Sequence, residues 1–132
     1  MIKIKDTSWD DEDDFLKFKK HLIKIKKKII NTDYNFYWDG CSNHIKITKF
    51  LGNIGEDRML IIASTKIFRL KSTYGINNGR ISKLSIYWRG DYPNQFVNHK
   101  SFFNYDRGDD VNKLDENKEA RLLYDFIIKY FN

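Results

Sequence analysis

With 132 residues and 24 lysines and arginines against 18 acids, the chain has the size of one domain, 1–132, and a formal net charge of +6. Hydrophobic residues at 41% and aromatics at 16% exclude a disordered chain despite 32% charge. The single cysteine, Cys41, excludes an internal disulfide framework, and no apolar run approaches the roughly 20 residues that span a bilayer.

The first fourteen residues, MIKIKDTSWDDEDD, lack the apolar stretch of a secretion signal, so a cytoplasmic protein in a reducing compartment is expected. Ile2, Lys3 and Ile4 can open a short strand. Thr7 or Ser8 can cap a helix, with Asp10 to Asp14 complementing the positive end of its dipole. The helix itself is written in FLKFKKHLIKIKKKIIN, residues 15–31. Phe15, Phe18, Leu22, Ile25 and Ile29 recur at steps of three and four, and Leu16, Ile23 and Ile30 are expected to widen that stripe. Lys17, Lys20, Lys24, Lys27 and Lys28 repeat the same steps on the opposite face, an ordinary solvated face or a secondary basic patch for phosphates. Membrane attachment through this helix is disfavoured, because its apolar stripe is expected to serve the core.

Strand patterns follow. Tyr34, Phe36 and Trp38 alternate with polar neighbours up to the turn dipeptide Asp39-Gly40, and Ile45 and Ile47 mark a second strand over 44–51. Residues 52–55 are expected to form a loop. Arg58 to Leu70 is a long β-type run, unalternating over 59–63 as suits a central strand, with a bend expected near Ser64 and Thr65. Asn77-Asn78-Gly79 signals a hairpin, and Arg80 to Arg89 returns as a strand. Gly90 to Gly108 carries Pro93 and five aromatic residues, and is expected to be either a functional loop or a cover for a short strand around 100–105. Asp106 to Asp110 is expected to be a turn plus helix cap, with an acidic docking lip as the alternative. A last helix capped by Asp110 or Asn112 would bury Ala120, Leu123, Ile127 and Phe131. Its stripe would be widened by Leu122, Tyr124, Phe126, Ile128 and Tyr130. The fold expected is α+β: an antiparallel meander of four to five strands, with both amphipathic helices packed on one face.

If Phe36, Trp38, Ile45, Ile47, Leu84, Ile86 and Trp88 face the helices, period two puts Tyr37, Lys46, Thr48, Lys83, Ser85, Tyr87 and Arg89 on the uncovered face. Cations beside aromatic rings suit either a single-stranded nucleic acid or a protein partner. Chemistry is weakly signalled. Cys41 and His44 have a C-x2-H spacing with no second ligand pair, and His21 and His99 are isolated, so no metal or cofactor is called for. A metal-dependent nuclease would need Asp39, Glu56, Asp57 and Lys66 to converge; Glu116-Asn117-Lys118 matches an acid-x-Lys spacing but reads as i,i+4-type surface pairing on the last helix. These patterns weigh against an enzyme. They point first to a small binding protein that occludes a protein partner, of immunity-protein, antitoxin or phage-inhibitor type. A nucleic-acid-binding domain is the alternative, and no membrane partner is expected.

Overall fold

The computed structural model describes residues 12–40, 42–54, 57–67, 71–90, 100–106 and 108–132. Helix α1 (Glu12–Ile29) is followed by strands β1 (Tyr34–Tyr37), β2 (His44–Ile54), β3 (Asp57–Ile67), β4 (Ile81–Gly90), β5 (Lys100–Asp106) and β6 (Asp109–Asn112), then helix α2 (Lys118–Phe131). The six strands form one sheet in the order β1-β2-β3-β4-β5-β6, and every neighbouring pair is antiparallel. The fold is therefore α+β with a simple meander, one strand longer than the upper expectation. The expected strand at 2–4, the caps Thr7 and Ser8, and the acids before Glu12 lie outside the described residues, as do Cys41, Glu56, Tyr92, Pro93, Phe96 and His99.

Helix α1 corrects one expectation. Phe18, Leu22, Ile25 and Ile29 are buried, but Leu16, Ile23 and Ile30 are 44%, 45% and 78% exposed. Steps of seven place those three on their own line, roughly 130° around the helix from the buried stripe. Lysines 19, 20, 26 and 27 flank that line, so the helix carries two apolar stripes and only one enters the core. The helix closes where the Thr32 amide and hydroxyl both donate to the Ile29 carbonyl, at 2.8 and 2.7 Å.

The sheet is built around β3, whose Met59, Ile61, Ile62 and Ala63 are all buried, as an unalternating apolar run requires of a central strand. It runs unbroken through Ser64 and Thr65, and its register shift falls later, between Lys66 and Ile67. Residues 52–54 belong to β2 instead of a loop; a shift between Phe50 and Gly52 absorbs one residue, and Gly52 takes φ +113 there. The β3–β4 connection is longer than a two-residue hairpin. It contains a 3₁₀ turn at Ile76–Asn78, in which Asn77 and Asn78 have φ 52 and 58, values asparagine tolerates. Asn132 pins this turn: its amide donates to the Ile76 carbonyl at 2.8 Å and its side-chain oxygen accepts from the Ile81 amide at 3.1 Å.

The aromatic stretch resolves into β5. Ile86 faces Phe103 but Tyr87 faces Ser101, so Phe102 is the extra residue of a bulge, and both phenylalanines are buried. Residues 109–112 form β6 where a helix cap was expected. The true cap of α2 is Asn117, whose side chain accepts from the Ala120 amide at 3.0 Å after a 3₁₀ turn at Leu114–Glu116. Asn117 thus belongs to a cap, and the surface i,i+4 pair of α2 is Arg121 with Asp125. Leu122 is exposed at 45%, whereas Tyr124, Phe126, Ile128 and Tyr130 pack partly buried.

The buried stripes of α1 and α2 join Ile45, Ile47, Ile61, Ala63, Leu84 and Ile86 in a single cluster. Rings bridge helices and sheet: Phe18 meets Trp38 edge-on at 5.9 Å, Phe36 stacks on Phe131 at 6.1 Å, and Phe103 meets Tyr124 at 5.0 Å. Lys49 reaches Glu119 of α2 at 2.9 Å.

Candidate anion-binding face of the sheet

The register defines four rows on the side of the sheet opposite this cluster. The first runs Phe50, Leu60, Arg89 across β2, β3 and β4. The second runs Asn35, Thr48, Ile62, Tyr87, Ser101 across β1 to β5. The third runs Tyr37, Lys46, Ser64, Ser85, Asn104, Val111, and the fourth His44, Lys66, Lys83, Asp106. The members of these rows on β1 to β4, Tyr87 apart, line an open depression of about 790 Å³. From Leu60 to Lys66 it extends about 20 Å along β3.

Six of the seven residues expected on this face line the depression: Tyr37, Lys46, Thr48, Lys83, Ser85 and Arg89. Tyr87 shares the face through its pairing with Ile62 and Ser101 but lies outside the lining. The sequence reading missed Phe50 and Arg58 as members. Phe50 continues the alternation of Lys46 and Thr48 on β2, and Arg58 that of Leu60 and Ile62 on β3, a strand whose apolar run over 59–63 masks its two faces. Lys17, Lys20, Lys24, Lys27 and Lys28 remain on α1 and form a separate surface; the Lys28 ammonium lies over the Tyr130 ring at 5.6 Å.

The lining is strongly one-signed. Lys46, Arg58, Lys66, Lys83 and Arg89 are cationic, the His44 imidazole lies among them, and Asp39 is the only acid among the described lining residues. Asp39 is also engaged in closing its own turn, accepting from the Ser42 amide at 2.9 Å and the Ser42 hydroxyl at 3.1 Å. Lys83 has Asp106 at 3.7 Å, a half-exposed pair. Burial, then the charges of Lys66 and Lys83, hold the His44 imidazole below its usual 6.5, against a smaller opposing pull from Asp39. The Arg89 Nε is buried without a hydrogen-bond partner. Tyr37 and Phe50 are 56% and 46% exposed, and the Arg58 guanidinium lies 5.5 Å from the Phe50 ring centre. Ser85 donates to Asn104 at 2.9 Å, keeping a hydroxyl on the floor of the depression.

Of the nuclease constellation, Asp39 and Lys66 both line the depression, Glu56 lies outside the described residues, and Asp57 stands apart from Lys66. Asp57 pairs with Ile54 at one end of the β2–β3 ladder and Lys66 with His44 at the other, about 30 Å apart along the strand. Among the described residues no three of His, Cys, Asp and Glu group as a metal site, and no helix is long and apolar enough to cross a membrane.

Residues 50–132 match a family described as a domain of unknown function (DUF7678). The chain belongs to that family. The matched part supplies β3 to β6, α2 and the Arg58, Lys66, Lys83 and Arg89 side of the depression, while His44 and Lys46 precede it. No curated protein and no solved structure matches the chain.

Proposed function

We propose that this is a binding protein whose working surface is the uncovered face of the sheet, and that its occupant is a single-stranded nucleic acid. In this reading both helices cover the face that bears Phe36, Ile47 and Ile86, so the opposite face is left for a partner. The observation that carries the proposal is the one-signed lining: five Lys and Arg side chains against one already engaged acid, with exposed rings at Tyr37 and Phe50. Cations along a groove follow a phosphate backbone, and rings beside them stack on splayed bases. An unstacked single strand can lie flat on a sheet, whereas duplex recognition leans on elements that enter a groove.

A second reading is supported by Phe50 with Arg58 above it, since aromatic and arginine side chains dominate protein hot spots. There the occupant is an acidic protein surface, and the chain acts by occlusion, as immunity proteins, antitoxins and phage inhibitors do. Two assays separate the readings. A single-stranded oligonucleotide should shift in a gel at low salt and be released steeply as salt rises. Capture from the native cell should then lose its partner after nuclease treatment. No shift at low salt, together with a protein partner that survives nuclease, would replace the first reading with the second.

A further inference from the structure

We propose that the end of the depression framed by His44, Lys66 and Lys83 is a phosphate subsite, and that His44 takes up a proton when a phosphate enters. The proposal deepens the single-strand reading and rests on it for the identity of the occupant. Its basis is register. His44 is paired with Lys66, and Lys66 with Lys83, so three adjacent strands present three nitrogenous side chains in directly opposed positions on one face. Opposed side chains in a sheet lie about 5 Å apart, and like charges placed so are destabilising. A sheet selected for stability alone would alternate the signs. Among the described residues the only acids facing the trio are Asp106 on β5, which reaches Lys83, and Asp39 before β2, which closes its own turn with Ser42. Lys66 has no ion pair among the described residues. The neighbouring row adds Lys46 and the hydroxyls of Ser64 and Ser85.

A tetrahedral phosphate matches this arrangement: two ammonium groups and one imidazole N–H can each donate to a different oxygen. Such an anion reverses the balance that keeps the imidazole neutral. Without it, burial and the two lysines oppose protonation. With it, the added negative charge favours the imidazolium. Binding and protonation are therefore linked. Affinity should rise as pH falls through the bound-state pKa of His44, by roughly tenfold for each unit separating bound and free values.

The test uses two probes on the full chain. The first is 5′-hydroxyl oligothymidylate, whose diesters keep one charge each between about pH 5 and pH 8, where histidine titrates. Wild type should bind more tightly at the acid end, and His44→Gln should remove that gain while still binding at the alkaline end. Lys66→Gln should weaken binding at every pH. Equal pH slopes for wild type and His44→Gln would overturn the subsite while leaving the single-strand reading intact. A 5′-phosphorylated oligonucleotide adds an arm: stronger, His44-dependent binding assigns the subsite to a terminal phosphate, and no difference assigns it to the backbone. The second probe is dimethyl phosphate, followed by the NMR titration of the His44 ring. It should raise the ring's pKa. No movement at saturating oligonucleotide or at high dimethyl phosphate would overturn the proposal. Movement with dimethyl phosphate but no oligonucleotide binding at any pH would keep the subsite and remove the nucleic-acid reading.

Discussion

Lys66 on β3 stands directly opposite Lys83 on β4, two cations held side by side by the register of one antiparallel ladder. The pair costs stability, because opposed like charges repel, and this points to a role that folding does not supply. Replacing either lysine with glutamine should leave stability unchanged or raise it, by at most about 1 kcal/mol. The same change should weaken oligonucleotide binding and lower the salt dependence by about one released counterion. Urea denaturation and anisotropy titrations at several salt concentrations read the two effects. A lysine variant that loses stability would show that the pair serves the fold.

Acid should destabilise the free protein before its carboxylates titrate. His44 and His21 both have pKa values held below the usual 6.5, His44 chiefly by burial and then by Lys66 and Lys83, His21 by burial and then by Arg80. Below 6.5 the unfolded chain takes up protons at these rings before the folded one does. Stability is therefore fully present above about pH 6.5 and falls as pH drops from there toward the folded-state values. Denaturation midpoints measured across this window should show the fall, and a variant with both residues changed to glutamine should show less of it.

The two apolar stripes of α1 should behave as opposites. Leu22→Ala removes a buried side chain and should cost about 2–5 kcal/mol. Ile23→Gln alters a neighbour on the exposed stripe and should change stability by no more than about 0.5 kcal/mol. Chemical denaturation of the pair checks the assignment. If Ile23→Gln proves as costly as Leu22→Ala, that stripe is covered in solution.

How much was legible follows from where local pattern and tertiary register agree. Helix α1, the central run of β3, the return of β4 and most of the open face obey simple periods, and they appear where the periods put them. The exceptions have physical causes. Leu16, Ile23 and Ile30 look like core by composition, but the line they share lies roughly 130° around the helix from the buried stripe. Strand β6 is Asp-Asp-Val-Asn, four residues whose chemistry suits a helix cap as well as a sheet edge. Phe102 is buried beside Phe103 because a bulge breaks the alternation. Arg58 alternates with Leu60, Ile62 and Ser64 along β3, but the unalternating apolar run over 59–63 hides that period.

The displaced cap gives its own test. Asn117→Ala should cost about 0.5–2 kcal/mol, the usual loss for an N-cap side chain, because the Ala120 amide loses its acceptor. Asn132→Ala should cost about 1–3 kcal/mol by leaving the Ile81 amide without its side-chain acceptor and the Ile76 carbonyl with the Gly79 amide as its remaining donor at the β3–β4 turn. Thermal or urea unfolding of both variants checks these values.

The most direct test of the open face as the binding surface is an amide NMR titration of the full chain with a single-stranded oligonucleotide at low salt. Shifts should concentrate at Lys46, Ser64, Lys66, Lys83, Ser85 and Arg89, on adjacent strands of one face. Shifts confined to Lys17, Lys20, Lys24 and Lys27 on α1, with the sheet unmoved, would contradict it.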